Sequence, residues 1–316
     1  MGPGIITNDT AEKEKEFLAC IENVYPRTRT YFRGIQILKD GRIICYDYKE
    51  EIKIYKYIDK KFILDFEFAI ENEDKVSATS LYEIEENIIL IGSYKNLFLY
   101  DIRNKEAKLL QKIENDFMNY FSQIIELSNG LIATHNSHNI IFYMYDRENK
   151  KLEKKDEIIS LNLSKIFETK NGDIIAFSGR EIIVYGKDKS IHSKMNPNID
   201  FPQFNFLEGK YILISYKKEN LNEFYVDVYD INKFILKQTL EVKYNLSKFI
   251  KLNDNLLIAD DYYGNIHELN IDNNYELSVK NIFKAHECPI SQMCKFEDNK
   301  ILSTSHDGNV KLWEFN

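Results

Sequence analysis

The chain has 316 residues, 44% of them hydrophobic and 29% charged, and 42 Lys and Arg stand against 50 Asp and Glu for a net charge of -8. That apolar share excludes a disordered chain, the acidic balance disfavours a general nucleic-acid binder, and no apolar run approaches the roughly 20 residues of a membrane-spanning helix. Cysteines 20, 45, 288 and 294 form no C-x-x-C pair and are too few for a disulfide scaffold, so reduced thiols in the cytoplasm are expected.

Residues 1–4 read as a cloning remnant at the head of a flexible leader, residues 1–9, with no basic segment of a secretory signal. Asp9, Thr10 and Glu12 carry a helix-start signal, so a helical turn near 10–14 is expected, followed by a strand over 16–25, EFLACIENVY. From residue 35 onward the chain is a succession of short β runs. One kind alternates and ends in a large, mostly aromatic residue: EIKIYKY at 51–57, NLFLYDI at 96–102, NIIFYMYD at 139–146, EIIVYG at 181–186, FYVDVYDI at 224–231, NIHELNI at 265–271 and NVKLWEF at 309–315. Taking Tyr55, Tyr100, Tyr145, Tyr185, Tyr229, Leu269 and Trp313 as equivalent gives spacings of 45, 45, 40, 44, 40 and 44 residues.

A more apolar run precedes each of these, such as NIILIGS at 87–93 and NLLIADD at 255–261, often after turn residues such as Asn129-Gly130 or Asn171-Gly172. Seven units of about 40–45 residues match a four-stranded propeller blade. The expected fold is all-β: one domain, residues 10–316, forming a seven-bladed β-propeller of four-stranded antiparallel blades. Two β-sandwich domains would not produce a uniform period. The seventh unit stops after its third strand, so the strand at 16–25 is expected to complete that blade and remove an open edge.

The last unit, residues 285–315, reads AHECPISQMCKFEDNKILSTSHDGNVKLWEF. It resembles a WD repeat: His286 stands at the Gly-His position, Ser305-His306-Asp307-Gly308 at the tight turn and Trp313-Glu314 at the Trp-Asp position. In that family a His, a Ser or Thr, an Asp and a Trp form a buried hydrogen-bonded tetrad, which the resemblance assigns to His286, Ser305, Asp307 and Trp313. Units one to six keep the period and have lost the tetrad. The resemblance implies a rigid platform that binds a protein or peptide on one propeller face; with the acidic balance, the lack of a long apolar run and the lack of catalytic motifs, the expectation is a non-catalytic scaffold with no cofactor, nucleic acid or membrane.

Other chemistry is sparse. No P-loop, G-x-S-x-G, H-E-x-x-H or dinucleotide fingerprint occurs, and His135 and His138 read as an exposed turn, not a metal site. A catalytic or glycan-binding propeller is the remote alternative. Leu97-Phe98-Leu99-Tyr100-Asp101-Ile102-Arg103 resembles the Trp-Asp-x-Arg element of WD-repeat substrate receptors of cullin-type ubiquitin ligases, with Tyr in place of Trp. The turns between second and third strands offer Tyr48, Tyr94, His135, Arg180, Tyr216, Tyr262 and His306, and residues 26–33 add Arg27, Arg29, Tyr31 and Arg33 on the same face. Aromatic and arginine side chains of this kind suit a peptide with acidic or phosphorylated groups.

Overall fold

A computed structural model of the protein describes residues 17–21, 32–47, 51–70, 77–114, 120–197, 199, 202–207, 210–218 and 223–315. The first strand is β1 (Phe17–Ile21). Blade one is β2 (Phe32–Ile37), β3 (Ile43–Asp47), β4 (Glu51–Ile58) and β5 (Lys61–Ala69). Blade two is β6 (Ser80–Glu85), β7 (Ile88–Gly92), β8 (Asn96–Asp101) and β9 (Lys108–Glu114). Blade three is β10 (Gln123–Glu126), β11 (Leu131–His135), β12 (Asn139–Asp146) and β13 (Lys151–Ile159). Blade four is β14 (Leu163–Glu168), β15 (Ile174–Ser178), β16 (Glu181–Tyr185) and β17 (Ile191–Met195). Blade five is β18 (Gln203–Leu207), β19 (Tyr211–Lys217), β20 (Phe224–Asp230) and β21 (Ile235–Val242). Blade six is β22 (Leu246–Asn253), β23 (Leu256–Asp261), β24 (Asn265–Ile271) and β25 (Leu277–Lys284), and blade seven is β26 (Ile290–Glu297), β27 (Lys300–Ser305), β28 (Val310–Glu314) and β1. The protein is a seven-bladed β-propeller, and its N-terminal strand completes the last blade. The helical turn expected near 10–14 lies outside the described residues.

Sequence dictates which strand lies where. Second strands are continuous apolar runs, and β3 and β7 are buried at every residue because neighbouring blades cover both faces. Fourth strands such as β13, KLEKKDEII, are charged and mostly exposed, as suits the rim. The core is seven layers, one at each seam between blades. The seam of blades one and two packs Ile44, Ile54, Ile89 and Phe98, and that of blades seven and one packs Ile43, Cys45, Leu302 and Leu312.

The period has a structural marker. In every blade the pairing of third and fourth strands skips one residue of the fourth strand at the same register. The skipped residues are Asp65, Leu110, Lys155, His192, Lys237 and Lys280 in blades one to six, opposite the step into Tyr55, Tyr100, Tyr143, Tyr185, Tyr229 and Leu269. In blade seven the pair Phe17↔Trp313 is followed by Ala19↔Leu312, so β1 skips Leu18 at the matching place. A β-bulge sharpens twist, and seven at one register give the blades a common twist. The marker corrects blade three: its equivalent residue is Tyr143, paired with Ile132 and 3% exposed, not Tyr145. Both tyrosines end apolar alternation, and only the register separates them.

Side chains of the inner strands clasp each blade to the next. Thr79 Oγ1 and Ser80 Oγ donate to the Phe121 carbonyl at 2.6 and 2.8 Å, and Gln123 exchanges two hydrogen bonds with the Ile166 backbone. Lys165 Nζ donates to the Phe204 carbonyl at 2.7 Å, Asn205 Nδ2 to that of Ser247 at 2.7 Å, and Lys248 Nζ to that of Ser291 at 2.5 Å. Ser291 Oγ reaches the Phe32 carbonyl at 2.6 Å across the closing seam, and Arg33 Nη1 reaches Ser77 Oγ at 3.3 Å. Burial, with Lys248 close by, pushes the Lys165 amine down to about 8.

Candidate functional site

Blade seven is pinned by a hydrogen-bonded chain that ends at Trp313. Trp313 Nε1 donates to Ser303 Oγ at 2.8 Å, Ser303 Oγ lies 2.7 Å from His286 Nε2, and His286 Nδ1 lies 2.9 Å from Asp307 Oδ2. One tautomer satisfies every group: Nδ1–H donates to the carboxylate and Nε2 accepts from the serine hydroxyl. The serine is Ser303, which corrects the assignment of Ser305. The two lie on one face of β27, two residues apart, and Ser305 serves the turn instead. Its hydroxyl donates to the Cys288 carbonyl at 3.0 Å and accepts from the Asp307 N–H at 3.1 Å.

Blade six carries a second pin that the sequence reading missed. Asp261 accepts from the backbone N–H groups of Tyr263 and Asn265 at 2.7 and 3.1 Å, and its Oδ2 lies 2.8 Å from His267 Nε2. Asp261 and His267 are 1% and 0% exposed. This histidine sits on the third strand, not in the loop before the first, so the family pattern does not point to it. The signal present in the sequence was the run Asp261-Tyr262-Tyr263-Gly264-Asn265-Ile266-His267. Gly264 turns there at φ +78, where a Cβ would run into the carbonyls of His286 and Cys288.

Burial pushes both Asp261 and Asp307 up, but hydrogen bonds from His267 and His286 and from backbone N–H groups outweigh it and hold both carboxyls below their ordinary range. A depressed carboxyl stabilises the fold fully above its unfolded pKa, and the contribution is lost as pH falls through the folded value. Asp261→Asn is therefore expected to melt lower than wild type at neutral pH, the gap starting to narrow near pH 4 and closing only as pH falls through the depressed folded value. A pH-independent gap in melting temperature would contradict the charge-based role.

The strands' antiparallel order puts the turns between second and third strands on the same face as the outer-to-inner connections. Tyr262 and Tyr263 are 76% and 57% exposed there, and Tyr244 packs against Tyr263 at 5.3 Å. Arg180 and His306 are exposed. Tyr94 is half-buried against Tyr120 at 5.0 Å, and Tyr216 is half-buried on Tyr225 at 5.7 Å with its hydroxyl toward Asp227. Arg33 is half-buried in the inner-strand clasp. Arg27, Arg29, Tyr31 and Tyr48 lie outside the described residues. His135 requires correction: it is 0% exposed, its Nδ1 faces the Asn136 carbonyl at 3.2 Å, and burial pushes it down to about 4, so its ring is a neutral core group.

A cavity of about 200 Å3 opens beside Tyr262, lined by Gln203, Asn245, Asp260 and Ile290. Asp260 is 1% exposed, and its carboxylate accepts from the Lys248 N–H at 2.7 Å. Among the described residues no group of three His, Cys, Asp or Glu side chains is placed to hold a metal ion. In blade two Tyr100 is 1% exposed, and Arg103 folds back onto Asp101, its Nε donating at 2.8 Å.

The fold resembles that of the Neurospora crassa Pan2 WD40 domain, with a TM-score of 0.74 and 12% identity over 95% of this chain and 94% of that one. It also resembles the WD40 β-propeller domain of Doa1, with a TM-score of 0.72 and 10% identity over 96% of this chain and 97% of that one. The chain has the WD40 propeller fold. The family model described as the CPSF A subunit region matches residues 8–160 of this WD40-type propeller. No curated protein matches its sequence.

Proposed function

We propose that the protein is a non-catalytic docking platform that holds a protein or peptide partner on the face bearing the turns between second and third strands. The supporting observation is the exposed side chains gathered there. Tyr120, Leu161, Tyr262 and Tyr263 are 48%, 60%, 76% and 57% exposed. Rigid aromatic rings on a scaffold clasped at every seam bury large area at low entropic cost. The partner segment packs on the rings of Tyr262 and Tyr263 and turns acidic or phosphorylated groups toward Arg180 and the arginines at 27, 29 and 33.

The test is partner recovery from native lysate, followed by titration of the recovered partner, with Arg180→Ala, Tyr262→Ala and His306→Ala combined in one variant. The control changes Lys170, Lys187 and Lys233 to Ala on the opposite face. Affinity is expected to fall about tenfold or more in the first variant and to hold in the control. An equal effect in both, or none in either, rejects this face.

A further inference from the structure

The turns joining first to second and third to fourth strands share the opposite face. There, at the seam of blades one and two, a cavity of about 430 Å3 is lined by Asp40, Arg42, Lys56, Asp65, Arg103 and Lys105 among others. Asp65 is the bulge residue of β5, the position filled by lysine in blades three, five and six. A bulge re-aims its side chain, and here it carries a carboxylate, 4% exposed, into the seam. Three cations converge on that carboxylate: Lys56 Nζ at 3.0 Å, Lys105 Nζ at 3.3 Å and Arg42 Nη1 at 3.4 Å. Burial pushes the Asp65 carboxyl up, and the two lysines overcome it and hold it below its ordinary range.

The surroundings leave these cations under-neutralised. Arg42 also binds Asp40 at 2.8 Å and donates to Asn87. Arg103 engages Asp101 through Nε and Nη2, which leaves Nη1 without a partner among the described residues. The lining holds four cations and two carboxylates, an excess of two positive charges in a chain of net charge -8. Asp101 and Lys150, 3.3 Å apart behind Arg103, add one charge of each sign and leave the balance unchanged. Glu85, also outside the lining, acts on Arg103 and brings the excess to one positive charge. Asn104 and Lys105 both hold φ of 59° and form the centre of a hairpin turn closed by the Glu106 N–H to the Arg103 carbonyl at 3.2 Å. The turn carries the Lys105 ammonium onto Asp65.

A phosphate group carries about -1.5 to -2 at pH 7 and offers three acceptor oxygens, enough to engage Lys56, Lys105 and Arg103 together, where a monocarboxylate offers two. We propose that this cleft binds a phosphate dianion, free or as a monoester on a peptide, held by Lys56, Lys105 and the open edge of Arg103. The site lies on the face opposite the docking surface and does not depend on it.

The probes are inorganic phosphate, a short neutral peptide carrying one phosphoserine, the same peptide unphosphorylated, and the same peptide with Glu at that position, titrated calorimetrically at low ionic strength. Phosphate and the phosphopeptide are expected to bind and the other two peptides not; tighter binding of the phosphopeptide identifies the ester as the ligand, and tighter binding of inorganic phosphate identifies the free ion. The Lys56→Gln/Lys105→Gln variant changes two exposed side chains and is expected to weaken binding about tenfold or more, while Lys95→Gln/Lys218→Gln on the other face leaves it unchanged. Asp65→Asn removes the internal competitor and should tighten binding wherever the variant folds. Absence of binding by both phosphate probes, equal affinity in the Lys56/Lys105 variant, or equal binding of the Glu peptide overturns the proposal.

Discussion

Deleting residues 1–25 is expected to abolish the soluble ring. The deletion removes β1, whose backbone pairs with β28 from Val310 to Trp313, and leaves β28 as a bare edge. Unpaired edges template association with other chains. The loss also bares the rim of the blade whose seam with blade one buries Ile35, Ile43, Cys45, Leu302, Val310 and Leu312. Every other blade has four strands and a bulge in the fourth, so among the described residues no strand elsewhere is free to substitute. Size-exclusion chromatography and thermal melting decide the matter. The truncated chain should elute as aggregate or express poorly, while a deletion of residues 1–9 should match the full chain. A soluble, equally stable product lacking residues 1–25 contradicts closure by β1.

The second large effect is expected from Ser303→Ala. The hydroxyl is the junction of the blade-seven pin, and its loss removes the hydrogen bonds that the Trp313 N–H and the His286 Nε2 make to it in a buried site. Each buried polar group left unsatisfied costs about 1–3 kcal/mol. Ser305→Ala removes a hydroxyl that serves the Cys288 carbonyl and the Asp307 N–H nearer the surface, so its effect is expected to be smaller. Asp307→Ala frees His286 Nδ1, and Trp313→Phe removes the donor that satisfies Ser303, so both also lower the melting temperature. Chemical denaturation of the serine pair gives the order directly. A Ser305→Ala variant less stable than Ser303→Ala contradicts the hydrogen-bond assignment.

What could be read in the sequence follows from which physical signals are local. The blade period was legible because every third strand ends its apolar alternation with a large residue at the bulge, and six of those seven positions were identified. The seventh, Tyr143, was hidden by Tyr145, since two tyrosines on one alternating strand look alike until the partner strand fixes the register. Closure by the N-terminal strand was legible from an edge that needed a partner. The choice between Ser303 and Ser305 was not, because they share a face and only the span of the tight turn decides which reaches the imidazole. His135 misled because a histidine beside Asn136-Ser137-His138 resembles an exposed turn, yet it is the last residue of β11 and lies inside. The clasp of Gln123, Lys165, Asn205 and Lys248 and the reach of Lys105 to Asp65 are contacts between residues about 40 positions apart on neighbouring blades, and no local pattern announces them.

The central claim is that a partner docks on the face of the second-to-third-strand turns. Hydrogen–deuterium exchange of the protein with its recovered partner measures this most directly. The account predicts slowed exchange in segments 93–95, 179–180, 262–264 and 306–309, with segments 127–130, 169–173 and 231–234 on the opposite face unchanged. Slowed exchange confined to the opposite face or to the outer strands would contradict it.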